Sequence, residues 1–289
     1  MVCVSILIYG DEFYIRAGRE SVLSVLENSP FYIHVTGSEG LASRLPANER
    51  IIVHRLPHLT PIRHRSRRFL LKFEALKQCL SSCGEEYVIM LDGDAVFASE
   101  LDTGQIKAAL GRHEIGMVEQ PTIIGSGMTR QDFYKHYIDY SLAFLGPDEA
   151  PPKFEKFRYY NSGFVLGRRS EMEKIAVWAL SRIDSAETDR KEHQVGKHMI
   201  ADQDYLQYWV HNVNPGSCIL LPWYWNHCRH WDEGFPRPDA RVIHFSNFCN
   251  GPNQDIIKHM HKFRRPKRRY FYLSDIVCSI AGRLRKNHL

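Results

Sequence analysis

The sequence predicts an α/β fold with a mostly parallel central sheet flanked by helices and a basic helical C-terminal tail. Three observations carry this expectation. Tyr87-Val88-Ile89-Met90-Leu91 is an unbroken apolar run, the pattern of a central strand buried on both faces. Short apolar runs alternate with helical patterns through the first third of the chain, which implies parallel strands joined by crossover helices. A length of 289 residues with 44% hydrophobic and 25% charged residues suits a globular chain with a large core and excludes a disordered one.

Taken in order, Met1 to Tyr9 reads as a strand that starts at once, without the basic region and small-residue cleavage site of a signal peptide. Gly10-Asp11-Glu12 turns, and Val22, Leu23, Val25 and Leu26 mark a helix. Phe31 to Val35 is a second strand and Ile51-Ile52-Val53 a third. A helix is expected from Arg67 to Leu80, with Phe69, Phe73, Leu76 and Leu80 on one face and Gly84 past its end. After the Tyr87 strand, Gly116-Met117-Val118 and Gly163 to Leu166 read as strands. Ser170 with Glu173 forms a capping box for a helix through Trp178 and Leu180. Gly146-Pro147 and Pro151-Pro152 mark residues 146–158 as a mobile loop, and Pro222, Pro236 and Pro238 break the later region into short pieces.

No apolar run approaches the roughly 20 residues that cross a bilayer. The seven cysteines form no CxxC pair. Cys79 and Cys83 stand four apart on the expected helix, which is half of a metal pattern, but no second pair follows. The expectation is therefore reduced thiols in a cytoplasmic protein. The net charge of +5 conceals an asymmetry. From Lys258 onward there are ten Lys or Arg and one acid, leaving 28 basic and 32 acidic residues in the remainder. The tail mixes cations with aromatics from Lys262 to Tyr272 and continues into Ile276, Val277, Ile280, Ala281 and Leu284 at helical spacing. That pattern suits an anionic membrane surface better than nucleic acid, given the acidic bulk. The expected division is a main domain over residues 1–255 and a tail over 256–289.

The residues that carry chemistry cluster at strand ends. Asp92-Gly93-Asp94 follows the buried Tyr87 strand, and ligands of open α/β sheets bind beyond the carboxyl ends of the strands. Two carboxylates one residue apart repel unless a cation or donors lie between them, and such a pair suits a hard divalent ion bound with phosphates. An ordinary surface turn is the structural alternative. His244 ends the apolar run Arg241 to Phe245. An imidazole added to two carboxylates makes a site for Mn²⁺ or Mg²⁺, with the nitrogen favouring Mn²⁺. Asp202-Gln203-Asp204 precedes a helical pattern, where Asp202 reads either as a helix N-cap or as a carboxylate facing a sugar. Tyr160-Asn161-Ser162-Gly163 reads either as a turn or as a polar lining with close backbone access.

Together and in order, these motifs resemble the GT-A (Rossmann-like) nucleotide-sugar glycosyltransferases, and most of all glycosyltransferase family 8, the group of glycogenin and the lipopolysaccharide galactosyl- and glucosyltransferases. The resemblance covers roughly residues 4–250. It rests on Lys72-Phe73-Glu74-Ala75-Leu76, Asp92-Gly93-Asp94, Tyr160 to Val165, Asp202-Gln203-Asp204-Tyr205-Leu206, Leu221-Pro222-Trp223-Tyr224-Trp225-Asn226 and Val242-Ile243-His244-Phe245. The chain departs from the family after His244. Ser246-Asn247-Phe248-Cys249-Asn250 stands where a glycine and a lysine-proline-tryptophan run is usual, and Lys258 or Arg68 could substitute for that lysine.

The resemblance implies a UDP-sugar donor, a saccharide or lipid-linked acceptor, and transfer of a hexose with retention of configuration, as in lipopolysaccharide or other surface glycan assembly. Asp92, Asp94 and His244 would hold the metal. Ile8, Tyr9 and Asp11 would hold the uracil and ribose. Arg68 or Lys72 would face the phosphates, with Gly93 and Asn247 nearby. Asn161, Asp202 and Gln203 would hold the donor sugar. Double displacement through Asp202 and front-face attack guided by the leaving phosphate both stay open. A sugar-phosphate nucleotidyltransferase is the rival enzyme class, but it would carry a Gly-rich basic loop where this chain has Gly10-Asp11-Glu12-Phe13. A non-enzymatic membrane- or nucleic-acid-binding module driven by the tail is the rival of a different kind.

Overall fold

β1 (Val2–Ile8) is the strand from which the rest of the sheet is laid out. The protein is described by a computed structural model over residues 1–56, 67–120, 128–183, 200–228, 237, 239–246 and 254–264, with the side chains of residues 67, 68, 183, 254 and 255 outside that description. β1 feeds α1 (Glu12–Asn28), whose first N–H groups are capped by the Asp11 side chain through Phe13 N and Tyr14 N. β2 (Tyr32–Gly37) and β3 (Ile51–Arg55) then add in parallel on one side of β1. α2 (Arg67–Ser82) runs back across the sheet, and β4 (Tyr87–Leu91) pairs in parallel with the other side of β1. All five residues of β4 are buried, as an apolar run with no alternation requires.

The remaining elements are α3 (Thr103–Leu110), β6 (Ile115–Glu119), α4 (Arg130–His136) with a π-helical extension over Tyr137–Leu142, β7 (Tyr160–Arg168), α5 (Arg169–Ile183), α6 (Asp202–Tyr208) and β8 (Cys218–Leu221). The main sheet has the order β3-β2-β1-β4-β7-β6-β8. β7 is antiparallel to both β4 and β6, while β8 is parallel to β6. The expected α/β architecture, a mostly parallel sheet flanked by helices, is therefore present. A second, three-stranded sheet orders β5 (Ala95–Phe97), β10 (Val242–His244) and β9 (His227–Cys228) as β5-β10-β9.

Two consequences position the site. The chain leaves β1 to one side for β2 and β3 and to the other for β4, so the carboxyl ends of β1 and β4 flank the topological switch point where α/β crevices form. In addition, the antiparallel β7 enters the sheet at that same edge. Its first residues, Tyr160 and Asn161, pair with Glu119 and Val118 at the carboxyl end of β6, and Phe164 pairs with Leu91 at the carboxyl end of β4. The ends of β1, β4, β6 and β8 and the start of β7 thus share one edge.

The core lies in two layers. One face of the sheet is covered by α2, α5 and α6 through Phe73, Leu76, Met172, Ile175, Tyr205 and their neighbours. The other is covered by α1 and α3 through Val22, Val25, Ile106 and Leu110. α7 (Gln254–Phe263) packs Ile256 and Met260 with Ala17, Val96 and Phe245. Arg264, only 3% exposed, donates to Glu20 and Glu27, and its carbonyl accepts from Asn28 Nδ2. Residues 256–264 therefore belong to the body and not to a separate tail beginning at 256, because an amphipathic helix with a paired arginine completes the cover of α1. Residues 265–289, which hold the rest of the expected tail, lie outside the described residues.

Two local expectations are corrected. Ser170 lies inside α5, which starts at Arg169, so it is not a cap. Asp202 is the first helical residue of α6 and not its N-cap. The N-cap is Ala201, whose N–H is taken by Asp204 Oδ2 at 2.8 Å. Asp204 does the satisfying from inside the helix, which leaves the Asp202 carboxylate available for other work. No helix among the described residues is long and apolar enough to cross a membrane.

Candidate metal centre

Asp92 and Asp94 sit on the turn that follows β4 and leads into β5. Ala95 N closes the turn on Asp92 O at 3.0 Å, and Asp92 N is tied to Gly163 O of β7 at 3.0 Å. Gly93 fits against the end of β1, where an added Cβ would lie 3.2 Å from Leu7 O. The small sheet then delivers the histidine. β10 pairs antiparallel with β5 so that His244 stands opposite Ala95, one residue after Asp94, and Phe245 N reaches Asp94 O at 2.9 Å. His244 Nε2 lies 3.2 Å from Asp94 Oδ1 and 3.5 Å from Asp92 Oδ2. Its other nitrogen, Nδ1, is 3.2 Å from the Cys228 sulfur on the neighbouring β9. One atom from each of Asp92, Asp94 and His244 lies within 4.8 Å of the others, so residues 150 apart in sequence converge on one point.

Glycine at position 163 is a condition of that convergence. A Cβ there would fall 2.1 Å from His244 Cε1 and 2.2 Å from Nδ1. Any larger residue would displace the imidazole, so the Asn-Ser-Gly stretch of β7 makes room for the histidine as well as lining the site.

Lys72, on the inner face of α2, is buried beneath the two aspartates. Its Nζ contacts Asp92 Oδ1 at 2.5 Å, Asp202 Oδ2 at 2.7 Å and the Ser162 carbonyl at 3.0 Å. An ammonium has three donors, and all three are used. Burial works against its charge, but Asp202 and Asp92 outweigh burial and hold Lys72 above the ordinary lysine value. The sequence-based expectation that Lys72 faces the phosphates is therefore revised: its three donors are spent on Asp92, Asp202 and the Ser162 carbonyl, which fixes those two carboxylates in place. Arg68 lies in the first turn of α2, and its side chain is outside the described residues. Asn247 is also outside them.

Burial pushes the Asp92 carboxyl above the usual carboxylate range, with Asp94 and Asp202 adding to the push and Lys72 and His244 opposing it. For His244, burial opposes a charge, but the Cys228 sulfur and the Asp94 carboxylate outweigh it and carry the imidazole well above its ordinary value. Burial raises Cys228 itself, so it stands beside His244 as a neutral thiol, and the carboxylates are the lasting attraction. Three carboxylates face Lys72 and the His244 imidazole here. That excess of negative charge is what a divalent cation neutralises, and two carboxylates with one imidazole make an oxygen-rich donor set that suits Mn²⁺ or Mg²⁺. The residues fit such an ion.

A polar network extends from this centre. Asn161 Oδ1 accepts from Gly163 N at 2.9 Å and Asn226 Nδ2 at 2.7 Å, and its Nδ2 donates to Gln120 Oε1 at 3.3 Å. Gln203 Nε2 reaches the same Gln120 oxygen at 3.2 Å. Asn161 is 5% exposed with both ends committed, so it acts as a brace and not as an open pocket wall. Gln120 went unrecognised in the sequence because a lone glutamine after a strand carries no pattern. Cys228 and the Ser162 carbonyl were missed for the same reason: the antiparallel entry of β7 places Gln120 and Ser162, and the pairing of β9 with β10 places Cys228.

At the end of β1, Ile8 is 2% exposed, packs on Gly18 and pairs with Gly37 of β2, so it is a core residue and not the open ligand contact expected of it. Tyr9 is 38% exposed, which suits a stacking surface. Asp11 uses one carboxylate oxygen to cap α1. No family model matches the chain, and a search of curated proteins finds no match either.

Proposed function

We propose that the chain is a metal-dependent glycosyltransferase that moves a hexose from a UDP-sugar to a saccharide or glycolipid acceptor. One observation carries this reading: Asp92, Asp94 and His244 converge within 4.8 Å at the switch point of the sheet, with the Lys72–Asp202 pair beside them. The GT-A resemblance, with its implied Asp-x-Asp and histidine, agrees with this convergence. Asp92, Asp94 and His244 would hold Mn²⁺ or Mg²⁺. When bound, the ion supplies Lewis-acid neutralisation of a departing diphosphate.

The chain's own residues do the rest. Lys72 holds the Asp202 carboxylate in place through a 2.7 Å contact, so this group can accept hydrogen bonds from the hydroxyls of a donor sugar and favour positive charge developing on its ring. A carboxylate held by an ammonium is also a weaker nucleophile, so front-face attack suits this site better than double displacement. Gln120 holds Gln203 and Asn161 in one geometry, which limits the poses a sugar can take. Tyr9 offers a face for the base, and the second oxygen of Asp11 offers an acceptor to the ribose. The segment after Arg264 would dock on an anionic membrane surface at the cytoplasmic face, where a lipid-linked acceptor is found.

A screen of nucleotide sugars by thermal shift and turnover, with Mn²⁺ and with chelator, tests the function. The expected result is stabilisation by UDP and UDP-sugars that needs the metal, and transfer or hydrolysis that chelator stops. Absence of any UDP or UDP-sugar binding with Mn²⁺ present overturns it. Replacing the basic residues at 265, 267, 268 and 269 by Gln should reduce sedimentation with anionic vesicles. Unchanged sedimentation sinks the membrane reading alone.

A further inference from the structure

The opposite edge of the sheet carries a second cluster. Cys3 lies at the start of β1 and His34 early in β2. They point to the face covered by α2, since alternate residues of paired strands share a face and Cys3 and Ser5 pair with Tyr32 and His34. α2 brings Cys79 to that face, and Cys83 follows one residue beyond the helix. All four residues are buried, and one ligand atom from each lies within 4.8 Å of the others. Cys3 Sγ and Cys79 Sγ are 3.6 Å apart, close to the roughly 3.8 Å that separates two thiolates on one tetrahedral zinc.

The surroundings are those of a ligand set and differ from those of stray core thiols. His34 Nδ1 is 3.0 Å from His54 Nε2 on β3; with the proton on His34 Nδ1, the Nε2 lone pair is left for an ion and His54 is the outer partner that metal-bound histidines use. Arg169, at the start of α5, donates to the Cys83 sulfur at 3.3 Å and also caps the Leu80 and Cys83 carbonyls at the end of α2. Three thiolates and one imidazole around a divalent ion leave one net negative charge, and the Arg169 guanidinium is placed to balance it.

We propose that Cys3, His34, Cys79 and Cys83 form a closed structural site for Zn²⁺, a Cys₃His centre that pins α2 to β1 and β2. All four positions are protein ligands, so the site has no open place for a substrate, and its role is to hold the fold. Binding releases the remaining thiol protons to solvent and needs no oxidant. Soft thiolates separate this site from the oxygen-rich one at the other edge, so the two should not exchange ions.

The test uses the full chain, stripped of metal by chelator under reductant and then titrated with Co²⁺ and Zn²⁺ while circular dichroism tracks the fold. The expected result is about one Co²⁺ per chain with a thiolate-to-cobalt charge-transfer band and intense tetrahedral d–d bands, all abolished by one equivalent of Zn²⁺. Cys79→Ser should remove the charge-transfer intensity of the native site, and His54→Ala should weaken affinity about 10–100-fold. Asp94→Ala should leave the bands unchanged, which separates this site from the one proposed for transfer. A folded, reduced chain that shows no thiolate–cobalt band overturns the proposal. So does a band that survives both Cys79→Ser and His34→Gln, since other cysteines would then be its source. Recovery of a Cys3–Cys79 disulfide from the purified protein, with no metal uptake after its reduction, overturns it in favour of a redox pair.

Discussion

The two edges of one sheet hold two clusters of opposite character. At the carboxyl edge, Asp92 and Asp94 are partly exposed, one on each side of a glycine turn; both meet the His244 imidazole, and Asp92 also meets Lys72. At the amino edge, Cys3, Cys79 and Cys83 sit among Leu76, Leu80 and Val88 in the core. The same helix serves both. Lys72 and Cys79 are seven residues apart, two turns and roughly 10 Å along one face of α2, so the helix presents a hard cationic group to one edge and a soft ligand to the other. The difference is one of accessibility and donor chemistry. An oxygen-rich site left partly open suits an ion that must share its coordination with a substrate. A closed sulfur-rich site suits an ion that only holds elements together.

The comparison breaks most sharply at Lys72. Lys72→Met keeps the length of the side chain but leaves Asp92 and Asp202 without their buried partner. The expected loss of stability is about 3–5 kcal/mol in urea unfolding, and Lys72→Met/Asp202→Asn should recover part of it. The thiol cluster should keep its cobalt spectrum in the folded variant. If Lys72→Met unfolds no more easily than wild type, the lysine is not holding the carboxylates, and the carboxyl-edge account fails.

Next in size is the transfer reaction itself. Asp94→Ala removes one ligand without touching Lys72, so stability should change little while Mn²⁺-dependent turnover of a UDP-sugar falls by about 10²–10³-fold or more. Near-normal turnover in this variant would falsify the metal assignment. Gly163→Ala sharpens the same point without altering any ligand. Its Cβ would press on the His244 ring, so Mn²⁺ affinity measured by calorimetry should drop about 10–100-fold. An unaffected affinity would mean that the ring can move and that the imidazole is not needed.

How much of this was readable in the chain differs between the two edges for a physical reason. Asp92-Gly93-Asp94 announces itself because both carboxylates and the turn glycine are neighbours in sequence after an apolar run. His244 was readable because it ends a second such run. The parallel strands up to Leu91 followed from the same periodicity. The thiol cluster was not readable, although Cys79 and Cys83 stood out. Their partners, Cys3 and His34, come from the first two strands, and only the parallel register of β1 and β2 under α2 brings them together. The brace through Gln120, Asn161 and Asn226 was hidden in the same way, because it depends on β7 entering antiparallel. Spacing reveals ligands that share a turn. Sheet pairing assembles the others, and one sequence does not print its register.

A histidine in neither cluster gives the baseline for judging both, and sets the smallest effect. His211 lies among the rings of Phe157, Tyr137 and Tyr160, with centroids 4.8, 5.5 and 6.0 Å away, and its Nε2 is 2.8 Å from the Arg158 carbonyl. That carbonyl only accepts, so Nε2 carries the proton of a neutral ring. Burial lowers the pKa to about 4 against a weak upward pull from the carbonyl. A histidine depressed on folding contributes stability that is present above its ordinary value near 6.5 and is lost as pH falls toward 4. Between about pH 7.5 and about pH 5.5 this group should remove about 1 kcal/mol from the unfolding free energy, and His211→Phe should flatten that part of the profile. The His244 imidazole, among carboxylates, moves in the opposite direction. If His211→Phe leaves the slope over this window unchanged, aromatic burial is not what sets histidine ionisation in this fold. The contrast between a histidine held neutral by rings and one held charged by carboxylates would then lose its physical basis.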